Sequence, residues 1–249
     1  METNVYTQLI KNLEYEFTHS VSKKASAKGT IITLSRDYGS GIKKVGEQLV
    51  KYLNKNEVGF NLLKKEWRLI DTSVIRDLSR ELSIEYKLIE EYVPFEKKGI
   101  IEQLIHSFGP SYNKLDGKLS STLKTIIHAY FERGNVVILG RGAAFFAEQL
   151  DNALKIKVNS TMQFRIGHLM KAHNLNFDDA KMKMLENSKL RNDFLEHIQK
   201  GQTEHYDTVI DRSRLDDETL TEYLYSFAIA KVKELSRRQK NKNKFSTVY

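Results

Sequence analysis

Three short apolar runs in this 249-residue chain each stop abruptly at a glycine or a charge and give way to a helical pattern. Ile31-Ile32-Thr33-Leu34 runs into Ser35–Gly41, Trp67-Arg68-Leu69-Ile70 ends at Asp71, and Val136–Leu139 ends at Gly140-Arg141-Gly142. Two further strand candidates follow: Leu154–Val158, with period-2 alternation, and Thr208–Ile210. Between them lie helical stripes, with Val45, Leu49, Val50 and Leu53 after the first run and Leu119, Leu123, Ile126, Ile127 and Tyr130 before the third. Long amphipathic stretches cover 160–199, and a last helix is expected over about 216–238. Strand and helix in alternation indicate an α/β protein with a parallel sheet. In such sheets ligands bind beyond the carboxyl ends of the strands, which is where the glycines and charges stand here.

Composition narrows the classes. The chain has no cysteine, which excludes disulfide scaffolds, thiolate metal sites and cysteine nucleophiles. Hydrophobic residues make up 40%, enough for a sizeable core and against global disorder. No apolar run approaches the ~20 residues of a membrane span, and the first residues lack a signal pattern, so a soluble cytoplasmic protein is expected. The net charge of +8 suggests nucleic acid until it is located. Residues 231–244 hold seven basic residues and one acid, leaving the rest of the chain nearly neutral. A solvated basic tail accounts for that charge, and nucleic acid is not the expected partner. The seven histidines show no metal-ligand spacing, so no metal site is expected, and the single tryptophan, Trp67, reads as core.

The segment Ser35-Arg36-Asp37-Tyr38-Gly39-Ser40-Gly41, between strand and helix, has the layout of a phosphate-binding loop. Glycines let the backbone turn sharply, and amides at the helix start face an anion. In the register G-x-x-x-x-G-K-[ST] the leading glycine is Arg36, the lysine position is Ile42 and the hydroxyl position is Lys43. An ordinary strand–helix turn followed by a lysine-bearing helix fits the spacing equally well.

The ordered set of segments resembles the cytidylate kinase-like family of P-loop proteins, relatives of nucleoside monophosphate kinases. Thr33–Gly41 looks like that family's Ile-Ser-Arg-x-x-Gly-Ser-Gly-Gly-Arg loop, and Leu69–Ile75 is similar to its Tyr-Asp-x-x-Ile-Ile segment. Val137–Ala144 resembles its Ile-x-Gly-Arg-x-Ala-Asp strand end. Ser188–Phe194 resembles its Asp-Lys-x-Arg-x-x-Tyr lid helix, and Tyr206–Ser213 its Tyr-Asp-Leu-x-Ile-x-Thr-Ser strand. The likeness spans about 29–230. It implies a P-loop sheet of about five strands flanked by helices, with a helical monophosphate-binding insert (about 72–133) and a lid (about 176–200). An N-terminal helix and linker (1–28) and a basic tail (231–249) would lie outside it.

The activity the resemblance implies is phosphoryl transfer from ATP–Mg²⁺ to a nucleotide such as CMP or dCMP. Such a reaction needs positioned cations, since negative charge spreads over the phosphoryl oxygens in the transition state. The catalytic candidates are Lys43, Arg141, Arg165, Lys189 and Arg191. Ser35, Arg36, Tyr38, Gly39, Ser40, Gly41, Ile42, Lys43 and Lys44 are candidates for holding the donor phosphates. Arg141 and Asp71 are candidates for the acceptor, Asp71 reading equally as a helix N-cap, while Tyr38 either stacks on a base or packs on the sheet edge. Lys189 and Arg191 would fold over the transferring phosphate. Three positions differ from the family pattern: Ile42 for a loop glycine, Ala144 for an aspartate and Ser188 for the lid's leading aspartate. They keep a second reading open, a catalytically weak or inert nucleotide-binding regulatory protein. Oligomeric state is not legible.

Overall fold

The computed structural model of the chain describes residues 29–58, 65–71, 124, 127–199 and 201–246. The expected N-terminal helix and linker, and the part of the insert over 72–123, lie outside the described residues. Five strands form one parallel sheet: β1 (Ile31–Arg36), β2 (Arg68–Ile70), β3 (Val136–Leu139), β4 (Ala153–Asn159) and β5 (Thr208–Asp211). Their order is β2-β3-β1-β4-β5, so β1 is central and its carboxyl end is flanked by those of β3 and β4.

The strands form where the sequence is β-branched and continuous, as expected for a sheet covered on both faces. Every residue of β3 is buried, and so are the first five of β1. Side chains alternate between the faces. Ile32, Leu34, Val137, Leu139 and Ile156 pack with Ile42, Val45, Leu49 and Leu53 of helix α1 (Ile42–Lys55). Leu220, Leu224 and Ala228 of the last helix complete that layer. Ile31, Val136 and Ile138 face the opposite layer, made of Ile127, Tyr130 and Phe131 of α2 (127–133), Ala143 of α3 (Ala143–Phe146), and Phe194 and Ile198. Each fully buried aliphatic side chain contributes about 1.5–3 kcal/mol, so these two layers are the bulk of the fold's stability.

Helix α4 (Met162–His173) opens on Thr161, whose hydroxyl accepts a hydrogen bond from the Phe164 amide. It pairs with α5 (Phe177–Gln199) through Ile166, Leu169, Ala180 and Met184, against which Tyr38 packs. Trp67 is core, as expected, with Nε1 donating to the Val58 carbonyl at 2.6 Å. After a short 3₁₀ turn at Arg212–Arg214, α6 runs from Asp217 to Ser246. The last helix thus continues beyond the expected end near 238 through residues with no proline or glycine, and most of the basic segment is helical backbone rather than tail.

Candidate functional site

The loop between β1 and α1 is a tight turn in which the Ser40 amide donates to the Asp37 carbonyl at 3.3 Å. Gly39 and Gly41 sit at φ +83° and +67°, a region that other residues enter only with strain. Gly41 is the N-cap of α1 and no side chain caps the helix. The first-turn amides of a long helix, left without a side-chain acceptor, are an anion-binding feature. Ile42, whose branched side chain stands at a glycine position of the family loop, is 3% exposed and points into the core beside Val45, away from the loop's mouth.

Two elements brace this loop. Helix α4 lies against it closely enough that a β-carbon on Gly39 would meet the Arg165 carbonyl at 3.2 Å, and one on Gly41 would meet His168 Nε2 at 2.5 Å. From the 3₁₀ turn, buried Arg212 donates Nη1 to the Ser40 carbonyl at 2.5 Å and Nη2 to Asp217 at 2.7 Å. Its guanidinium stacks over the Phe164 ring at 4.9 Å, and Lys44 pairs with the same Asp217 at 3.0 Å. Turning one loop carbonyl toward Arg212 removes an acceptor from the space an anion would use.

Beyond the carboxyl ends of β1 and β3 the charges gather. Gly140, Arg141 and Gly142 take φ of +65°, +59° and +68°, three left-handed residues in succession. For Arg141 this backbone is strained, a condition that persists only where the surroundings enforce it. The turn lets the Arg36 guanidinium lie on Gly140, where a β-carbon would come within 2.0 Å of Nη1, and lets Ile198 seat on Gly142. Arg141 is half-buried, with Nε and Nη2 shut from solvent and unpaired. Burial, then the neighbouring Arg36 charge, lowers its pKa to about 10 against the pull of Asp71. Arg36 is lowered too, by burial first, with Asp71 opposing and Arg191 adding to the effect. Asp71 already pairs with Lys43 at 3.2 Å, and Arg191 reaches Ser35 Oγ at 3.2 Å.

Of the residues singled out from sequence, Ser35, Arg36, Lys43, Asp71, Arg141 and Arg191 come together at this one place. Among the described residues Arg165 makes no contact with this group; its Nη2 donates to Ser188 Oγ at 2.7 Å, tying α4 to α5. Ser188 thus does for Arg165 what a carboxylate would do more strongly. Lys189 is exposed, because two residues along a helix turn it about 200° from Arg191. Tyr38 packs against the α4–α5 cluster of Ile166, Leu169, Ala180 and Met184 rather than on the sheet edge, and Lys44 serves the brace around Arg212. Sequence reasoning passed over Arg212, His168, Glu204 and Tyr206. Arg212 and Tyr206 stood in a quoted motif; His168 and Glu204 carried no signal.

Magnesium fits this donor set poorly. It favours one or two carboxylates together with substrate phosphates. Here Asp71 is paired with Lys43, Ala144 is buried where the family places an aspartate, and no cluster of three potential ligands exists among the described residues.

A family model described as the cytidylate kinase-like family matches residues 31–214. Among solved structures, one of a protein from Eubacterium ventriosum is 17% identical, covers 82% of this chain and 99% of its own, and superposes with a TM-score of 0.56, a likeness of fold. A shikimate kinase from Bacteroides thetaiotaomicron is similar at 13% identity over 80% of this chain and 97% of its own, with a TM-score of 0.44. Another, from Acinetobacter baumannii, is 11% identical over 83% and 96%, also at 0.44. No curated protein matches the sequence. The parallel sheet with its glycine loop and strand-end arginines, together with a family match over most of the chain, places this protein in the cytidylate kinase-like family.

Proposed function

We propose that this protein transfers a phosphoryl group from ATP, delivered as its Mg²⁺ complex, to a nucleoside monophosphate such as CMP or dCMP. The observation that carries the reading is Arg141, which holds two buried N–H groups without partners beside the Arg36 charge, on which Arg191 also acts. Buried unpaired donors on a cation are costly, and a phosphate offers two charged oxygens spaced to accept the parallel N–H groups of a planar guanidinium. The α1 amides and Lys43 receive the donor phosphates, Arg36 and Arg141 hold the acceptor phosphate, and Arg191 approaches from α5 as the lid side chain. Asp71 keeps Lys43 in place and stands at the acceptor side. Arg165 steadies α5 against α4, and Lys189 remains with solvent.

A coupled ADP-release assay with a panel of NMP and dNMP acceptors tests the proposal. Turnover is expected with at least one cytosine nucleotide and is expected to fall at least tenfold in Arg141→Ala. Absence of turnover above blank with every acceptor would overturn it.

Two observations favour a second reading, an inert nucleotide-binding module. Lys43 is tied to Asp71, and Ala144 supplies no carboxylate. That reading expects ATP at about 100 times its Kd to raise Tm by about 5–10 °C without ADP release.

A further inference from the structure

Arg191 rests on a chain of groups that runs from α5 by way of β1 to the segment before β5. Its Nη2 lies 3.2 Å from Ser35 Oγ, Ser35 Oγ lies 3.1 Å from Tyr206 Oη, and Tyr206 Oη meets Glu204 Oε2. A guanidinium only donates, a carboxylate only accepts, and each hydroxyl has one proton. The protons therefore point one way: Arg191 donates to Ser35, Ser35 to Tyr206 and Tyr206 to Glu204. Opposite charges at the two ends polarise every link, and such chains strengthen cooperatively.

The surroundings show what this arrangement is for. Glu204 keeps its other oxygen, Oε1, buried without a partner, so this carboxylate is not placed for its own satisfaction. Burial, and next the bond to Glu204, raises the Tyr206 pKa, so the phenol keeps the proton the chain needs. Lys157 Nζ stands 5.7 Å over the Tyr206 ring and holds its face. With its proton committed toward Tyr206, Ser35 can only present a lone pair to Arg191. Arg191 is thereby held at the carboxyl end of β1, where its charge acts on Arg36.

We propose that Tyr206 and Glu204 are positioning residues that act through Ser35 to aim Arg191 into the arginine site. The proposal rests on the reading of that site as a phosphate site. Titration calorimetry of the full chain with inorganic pyrophosphate tests both. Tyr206→Phe keeps the ring and removes the hydroxyl; it is expected to weaken pyrophosphate binding about 3- to 10-fold, the net worth of one hydrogen bond. The same substitution in an Arg191→Ala background is expected to change affinity by less than 1.5-fold, because residues acting through one chain are not additive. Glu204→Gln, which keeps an acceptor and loses the charge, is a milder second variant with the same expected pattern. Equal losses in both backgrounds would mean a merely structural tyrosine, and unchanged affinity in Tyr206→Phe would also overturn the positioning role while leaving the phosphate site standing. Failure of the unmodified chain to bind pyrophosphate at all would overturn the phosphate-site reading and this proposal with it.

Discussion

Gly140→Ala separates the backbone geometry of the arginine turn from its electrostatics. Gly140 sits at φ +65°, where an alanine costs about 1–2 kcal/mol. For a chain of this size that lowers Tm by about 2–8 °C. The new methyl would lie 2.0 Å from Arg36 Nη1. Comfortable contact begins near 3.5 Å, so the guanidinium must retreat by about 1.5 Å. A charge-assisted hydrogen bond to a phosphate does not survive that displacement, and its loss is worth about 1.5–3 kcal/mol, or about 10- to 150-fold in affinity. Gly142→Ala is the internal control, with φ +68° and a methyl 2.1 Å from Ile198 Cδ1. It carries a similar backbone cost and flanks Arg141 equally, but the group it displaces is apolar. The assay is pyrophosphate calorimetry beside thermal unfolding. Both variants are expected to lose stability, and only Gly140→Ala is expected to lose more than tenfold in affinity. In an Arg36→Ala background the methyl has room, and Gly140→Ala is expected to leave the residual affinity within twofold. Equal affinity losses in the two glycine variants, or a full loss in the Arg36→Ala background, would refute the reasoning.

Arg141→Gly relieves a left-handed backbone and removes unpaired buried donors from a cluster of like charge. It is expected to raise Tm by about 2–8 °C while weakening pyrophosphate at least tenfold, and a lowered Tm would show that the guanidinium is already satisfied. Arg212→Met leaves the Ser40 carbonyl and Asp217 without their buried partner, so Tm should fall by at least about 6 °C by thermal unfolding; a smaller fall would mean the brace is dispensable. His168 has its pKa lowered by burial first and by Arg212 next, with Asp217 opposing and His173 adding. A folded-state pKa below the unfolded value of about 6.5 means the unfolded chain binds the proton first. Stability from this group is whole above about pH 6.5 and declines as pH drops toward the folded pKa. His168→Gln is expected to flatten the Tm–pH slope between pH 6.5 and 5.5, and an unchanged slope would remove His168 as its cause.

Local order was legible in the sequence because it depends on near neighbours. Unbroken β-branched runs specified β1 and β3, the spacing of Val45, Leu49 and Leu53 specified the buried stripe of α1, and the two loop glycines marked a turn needing positive φ. The family likeness over 31–214 was legible too, since it rests on the order of such segments. Which cations would meet was not. Lys189 and Arg191 are neighbours in sequence yet face different ways on a helix, while Arg36, Asp71, Arg141 and Arg191 are far apart in sequence and share one place.

The sequence by itself therefore determined the strands, the buried stripe of α1 and the glycine turn, because periodicity and backbone freedom are properties of short stretches. The tertiary structure alone decided the site. Only the strand order β2-β3-β1-β4-β5 brings the ends of β1, β2 and β3 side by side. Only burial turned Ile42 into a core residue and Arg212 into a brace, and left Arg141 with donors that have nothing to hold. Desolvation and close approach across distant segments are what give a charge its chemistry, and neither is written in the spacing of residues along the chain.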